Sequence, residues 1–152
     1  AEDGIRDIGV TGVQTCALPI LLDNKRLGKQ RVECLQIINA LAKSSKGWVN
    51  HPATKMWRGY EVALGWYSIS ICNEWIFRGY KDTCKDKIIE SLNRLFNIDI
   101  HSKECINFRY PFWWGWDEVH SSHRAALLHK DFEWYSKFRW REQPALDYYW
   151  PV

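Results

Sequence analysis

The sequence predicts an all-α fold: a compact single-domain bundle of about four helices with an aromatic-rich loop and an irregular C-terminal tail. Three observations predict it. Apolar residues recur at spacings of three, four and seven in successive stretches, the repeat of one face of a helix. The stretches open on capping residues or a proline and close on glycine or a polar run. Alternation with a period of two, the mark of a half-buried strand, is weak throughout.

The first helix opens at Asp23 or Asn24, either of which can cap it, and runs to about Ala42. Leu27, Cys34, Ile38 and Leu41 form its apolar stripe; Lys25, Lys29, Glu33 and Gln36 lie on the opposite face, flanked by Arg26. Ser44-Ser45-Lys46-Gly47 ends it. Residues 48–52 make a short connection, and Pro52 suits a first helical turn. A long second helix then spans about Ala53 to Arg78. Met56, Tyr60, Ala63, Leu64, Tyr67, Ile71 and Trp75 trace its stripe, and Gly79 is its stop. Asp82 or Thr83 caps a third helix with Cys84, Ile88, Leu92 and Leu95 as its apolar side, ending near Asn97. Residues 98–119 read as a loop around Pro111 and the cluster Phe112-Trp113-Trp114-Gly115-Trp116. A last helix spans Ser121 to Phe138, and the tail from Pro144 packs back through its aromatics.

A chain of 152 residues suits one domain with a real core. Its ten Trp, seven Tyr and six Phe need burial, or a ligand to stack on. No apolar run reaches the ~20 residues of a membrane helix, so no membrane partner is expected. The acidic start Ala1-Glu2-Asp3 lacks the apolar region of a secretory signal. Five Cys at positions 16, 34, 72, 84 and 105, with no Cys-x-x-Cys, read as reduced cytosolic thiols rather than a disulfide frame or a zinc site.

Residues 1–20 have a different texture: they lack aromatics, hold no clear period, and are interrupted by Gly4, Gly9, Gly12 and Pro19. The string resembles translated sequencing-adapter sequence of the kind met in environmental (metagenomic) assemblies. On that resemblance it is a non-native leader, and residues 21–152 are the folded domain. The alternative is a genuine, divergent arm. The net charge is +3 overall and −2 in residues 1–20, which leaves +5 for the rest. A mild basic excess permits a polyanionic partner without requiring one.

Four features can carry chemistry. In residues 23–33 a carboxylate, Glu33, is set among Lys25, Arg26, Lys29 and Arg31. The bland reading is a solvated face with i, i+4 pairs such as Lys29 with Glu33. The functional reading is that the cations hold phosphates while Glu33 does acid/base work beside a sugar. His51, before a helix start, either contacts a phosphate or leaving group or is a satisfied loop histidine. His120 and His123 share a helix face, but no His-Glu-x-x-His and no third ligand at fixed spacing accompany them, so no metal is expected. Arg124 and Lys130 suit backbone phosphates better. Trp57, Trp66 and Trp75 are nine apart and cannot share one face; most of the aromatics are core, and Trp113, Trp114 and Trp116 are the better candidates for stacking on an exposed base.

Several segments together resemble the pyrimidine-dimer DNA glycosylase (endonuclease V) family. They are Asp23 to Glu33, Gly47 to Pro52, Met56 to Glu61, Arg78-Gly79-Tyr80, His120 to Leu128, and the closing Tyr148-Tyr149-Trp150-Pro151. The likeness covers about residues 21–152. It is specific towards the family's bacterial members and looser towards its phage member. The resemblance implies a helical DNA-repair protein, acting as a monomer in the cytoplasm at the nucleoid. It implies removal of a damaged pyrimidine from double-stranded DNA, then lyase cleavage at the abasic site, with no cofactor.

In the phage enzyme the nucleophile is the N-terminal α-amine, which forms an imine at the sugar C1′ while a glutamate moves the protons. That glutamate corresponds to Glu33, and Arg26, Lys29, His51, Arg58, His123 and Arg124 are the implied DNA-binding residues. An α-amine with a pKa of about 7.7–8.0 is a fair nucleophile at neutral pH. On the reading of residues 1–20 as a non-native leader, the family's own start before Leu21 is lost, so the chain is expected to bind DNA and to cleave it poorly or not at all. The alternative function is a non-catalytic nucleic-acid-binding module; a third is a helical interaction domain whose tryptophans are simply core.

Overall fold

The computed structural model describes residues 19–44 and 46–152, and every element among them is helical. Six α-helices follow one another: α1 (Asn24–Leu41), α2 (Pro52–Trp57), α3 (Glu61–Phe77), α4 (Cys84–Phe96), α5 (Asp117–Lys130) and α6 (Phe132–Tyr135). Three short 3-10 turns, Pro19–Leu21, Lys103–Cys105 and Ser136–Phe138, complete the order. The all-α class is as the sequence predicts. Four helices are long, and α2 and α6 are the additions, each made by a break in a helix that the apolar spacing draws as continuous.

The chain divides into two compact units. The larger is Asn24–Phe112 with Val152; the smaller joins residues 19–23 to Trp113–Pro151.

In the larger unit α1 packs against α2, α3 and α4, and α3 packs against α4. Leu27, Cys34 and Ile38 are buried on α1, Leu64 and Ile71 on α3, and Ile88 and Leu92 on α4. These are the expected stripes; Leu41, Tyr60, Tyr67, Trp75 and Leu95 sit at their half-buried margins. Two glycines let the helices approach. A Cβ on Gly28 would lie 2.9 Å from the Trp75 ring, and one on Gly65 would lie 2.8 Å from Leu92.

The expected helix from Ala53 to Arg78 stops at Trp57 and restarts at Glu61. Arg58 is extended (φ −59°, ψ 125°) and Gly59 is left-handed (φ +87°), a conformation open to glycine because it has no Cβ. Glu61 Oε1 accepts the freed Gly59 N–H at 3.1 Å. Gly79 (φ +92°) ends α3 in the same manner, with Tyr80 N–H donating to the Trp75 carbonyl at 3.3 Å. Asp82 starts α4: its two carboxylate oxygens accept the N–H groups of Cys84 (3.1 Å) and Lys85 (2.8 Å). Asn97, left-handed at φ +54°, closes it.

In the smaller unit the last helix begins at Asp117 rather than Ser121 and ends at Lys130 rather than Phe138. Asp131 leaves helical geometry (φ −152°, ψ 78°), and its carboxylate accepts Trp134 N–H at 3.1 Å to open α6. Tyr135 is fully buried, and its hydroxyl donates to Asp23. The tail packs back as expected. Ala145 N–H donates to the Ala125 carbonyl at 3.1 Å, and Tyr148 and Trp150 lie 4.7 and 5.3 Å from the His123 ring.

The four described cysteines are free and buried, and burial pushes the Cys34 thiol up to about 12. Cys16 and most of the leader lie outside the described residues.

Candidate active site

The segment 23–33 becomes the first half of α1, and its charged residues are not equivalent there. Glu33 is 8% exposed, whereas Lys29, one turn earlier, is 69% exposed and reaches Glu33 Oε1 with Nζ at 3.5 Å. The carboxylate therefore sits on the border of the core, with a solvent-facing cation over one oxygen. At such a border a carboxylate can exchange a proton with a bound group while bulk water competes little. Arg26, two turns before Glu33, is half-buried. Gln30 lies between them, 3% exposed, and its Nε2 has no hydrogen-bond partner among the described residues. Gln30 is absent from the candidates the sequence offers, although its place at core spacing between Leu27 and Cys34 is a signal legible there.

Arg31, the fourth cation of the segment, has a structural post. Its guanidinium lies 4.4 Å from the centre of the Trp75 ring and pairs with Asp82. Burial would raise the Asp82 carboxyl, but the Lys85 N–H and Arg31 outweigh it and hold the group below its ordinary range. The motif Arg78-Gly79-Tyr80 also finds its reason. Arg78 Nη1 donates to Asn24 Oδ1 at 2.9 Å and Asn24 Nδ2 donates to the Tyr80 hydroxyl at 3.1 Å. Arg78 Nε donates to Glu74 at 3.0 Å. The end of α3 is thereby tied to the first residue of α1.

His51 and Arg58 bracket α2, which packs on α1. His51 Nδ1 accepts the Ala53 N–H at 3.1 Å and so caps α2, while its ring lies 4.6 Å from Trp48. The residue is exposed even so, and a ring nitrogen used as a cap fixes how the rest of the ring faces solvent. Arg58 is exposed at the other end.

His123 and Arg124 lie in the smaller unit, on α5, and both are inside. His123 is 1% exposed. Its Nδ1–H donates to the Val119 carbonyl at 2.8 Å, which leaves Nε2 as the bare nitrogen of a neutral ring. Burial pushes its pKa down to about 4. Arg124 is 7% exposed and holds Glu142, with Nε at 2.7 Å and Nη2 at 2.5 Å from Oε1. Burial would raise the Glu142 carboxyl, but Arg124 holds it below its ordinary range. A backbone phosphate would have to draw both residues out of these partners. His120 is buried too, accepting the Gly115 N–H on Nε2 at 2.8 Å. Of the three loop tryptophans offered for stacking, Trp113 is fully buried and Trp114 half-buried; Trp116 is exposed. The cluster is thus split between core and surface, with Trp113 inside and Phe112 and Trp116 outside.

A family model described as pyrimidine dimer DNA glycosylase matches residues 13–88, half of the chain. The chain belongs to the pyrimidine dimer DNA glycosylase family. The match takes in α1, α2, α3 and the start of α4 as far as Ile88, and with them Arg26, Lys29, Glu33, His51 and Arg58. It begins at residue 13, within the stretch whose composition sets it apart, and ends before α5. Neither a curated protein nor a solved structure matches the chain. Membership of a glycosylase family makes DNA the expected substrate. Among the described residues no helix is long and apolar enough to cross a membrane.

Proposed function

We propose that this chain's fold removes a damaged pyrimidine from duplex DNA and then cleaves the abasic strand by β-elimination, with Glu33 as the acid/base group. The observation that carries the reading is Glu33 itself: a carboxylate 8% exposed, at the edge of the matched fold, with Lys29 over one oxygen. An amine attacks C1′ and the C1′–N bond breaks, the departing base taking the proton that the amine releases. The nitrogen lone pair then opens the C1′–O4′ bond to form a protonated imine, O4′ takes a proton from water, and the imine is an electron sink. Glu33 takes the 2′ proton, the C3′–O bond breaks, and the 3′ phosphate departs with its electrons. Arg26, Lys29, His51 and Arg58 hold backbone phosphates on this reading. Residues 21–152 are the catalytic domain, and the attacking amine is the α-amine of a native start in place of residues 1–20.

Glu33→Gln tests the central claim. In a form that carries a relative's native start, duplex binding should persist while cleavage of an abasic duplex falls by the two to four orders of magnitude typical of a lost acid/base group. Unchanged cleavage would remove Glu33 from the chemistry. Borohydride trapping locates the amine. An adduct formed only when residues 1–20 are replaced by a relative's native start assigns the α-amine. An adduct with both forms points to an internal lysine, and none with either leaves a DNA-binding module.

A further inference from the structure

Beside Arg58, and mostly past the matched residues, the larger unit carries a row of aromatic rings that the proposed chemistry does not use. The segment Ile106-Asn107-Phe108-Arg109-Tyr110-Pro111-Phe112 interleaves aromatic rings with an arginine. It is tied to the α2–α3 turn: Phe112 N–H donates to the Tyr60 hydroxyl at 3.3 Å, and the Arg109 guanidinium lies 4.9 Å from the centre of the Tyr60 ring. Phe108 meets Tyr110 edge-on at 5.1 Å. These contacts hold the segment in place, yet Tyr110 remains 56% and Phe112 51% exposed. Arg58, two residues before Tyr60, and Arg109 are exposed as well. Glu61, half-buried beneath the turn, is engaged by the Gly59 N–H.

Rings kept at a surface, with Arg109 stacked on Tyr60 and the exposed Arg58 two residues before that tyrosine, suit a ligand that offers flat π-faces joined by negative charges. A nucleic-acid strand with unpaired bases is that ligand: bases stack on the aromatic faces and phosphates meet the arginines. A partner protein would be served by the rings but would not call for the interleaved arginines.

We propose that Arg58, Tyr60, Arg109, Tyr110 and Phe112 form a stacking platform for the unpaired bases of a DNA strand. The identity of the strand as DNA rests on the function proposed above. Tyr110 and Phe112 take the bases, Arg58 and Arg109 take the phosphates, and Tyr60 positions Arg109 and the backbone of Phe112. A repair protein that opens a duplex at a lesion exposes such a strand. Stacking is tolerant of sequence because every base has a π-face, so the platform should not discriminate among bases.

The test is anisotropy titration of the full chain with two labelled oligomers of equal charge: an oligothymidylate of about fifteen nucleotides, and the same sugar-phosphate chain without bases. The oligothymidylate should bind more tightly than the baseless chain by about tenfold or more. Tyr110→Ala/Phe112→Ala should remove that difference, and Phe112→Tyr should keep it. Arg109→Ala should weaken both oligomers alike and flatten the salt dependence. All three side chains are exposed, so the variants should melt near the parent temperature, which a thermal scan verifies. A base-dependent difference that survives the double alanine change overturns the platform while leaving the glycosylase reading intact. Failure to bind any DNA, single-stranded or duplex, overturns both. Self-association that vanishes in the double variant, with oligomer affinity unmoved, would assign the surface to a second copy of the chain and overturn the proposal.

Discussion

At the scale of single residues, burial sorts like from like. Glu33 and Glu142 are both buried carboxylates, but Glu142 is locked by the buried Arg124 guanidinium while Glu33 meets the solvent-facing Lys29. A locked carboxylate serves structure, and one at a border is available for proton transfer. His123 gives a prediction with a definite sign. Its folded pKa of about 4 lies below the ordinary value of 6.5, so between those values the unfolded chain binds the extra proton. Stability should therefore fall as pH drops from about 6.5 towards 4, by up to about 3 kcal/mol. Urea unfolding across that range should show the slope in the parent, and His123→Gln should flatten it. A parent curve with no slope there would mean the ring is not buried in solution.

At the scale of elements, two joints set the geometry of α1. The first is Asp82, which caps α4 and pairs with Arg31. Asp82→Asn should cost about 2–4 kcal/mol, from a weakened cap and a guanidinium left 13% exposed without its charge partner. Because the Asp82 carboxyl is held below its ordinary range, its contribution is present above that range and is lost as pH falls through the lowered value. The variant should accordingly lose less stability than the parent on acidification. The second joint is Gly28 against Trp75. Alanine there would bring a Cβ to 2.9 Å from the ring. Overpacking costs about 1–3 kcal/mol, against at most about 1 kcal/mol gained in helix propensity, so Gly28→Ala should destabilise. A melting temperature raised by that change would show that the Trp75 ring can yield to a methyl group on α1.

At the scale of the whole molecule, charge and chemistry separate. The net charge of +3 is small, so DNA affinity should rest on a few phosphate contacts rather than on a broad field. Affinity for duplex DNA should fall with added salt, and Arg26→Ala/Lys29→Ala should lower the log–log slope by about two. An unchanged slope would take the phosphates off α1. Arg124→Ala should act differently. It leaves Glu142 buried without its cation, so it should cost about 3–5 kcal/mol of stability, with any loss of binding following the loss of fold.

The sequence by itself determined the helical class, the apolar stripes of α1, α3 and α4, the glycine stop at Gly79 and the Asn97 end. All of these depend on residues within a turn or two of one another, where the 3.6-residue repeat and cap chemistry decide the outcome. It also made the family legible, through short motifs that keep their spacing within α1 and along α3. Gly59 shows where local reading ran out: the apolar spacing continues across it, and only the left-handed backbone at that point breaks the helix. Only tertiary structure decided which polar residues are inside. Arg31, His123 and Arg124 look like a surface's cations in sequence, yet partners far along the chain, Asp82 at 51 residues and Glu142 at 18, draw two of them in. A buried charge needs a partner, and the partner's identity is a property of the packed chain, not of the segment that carries the charge.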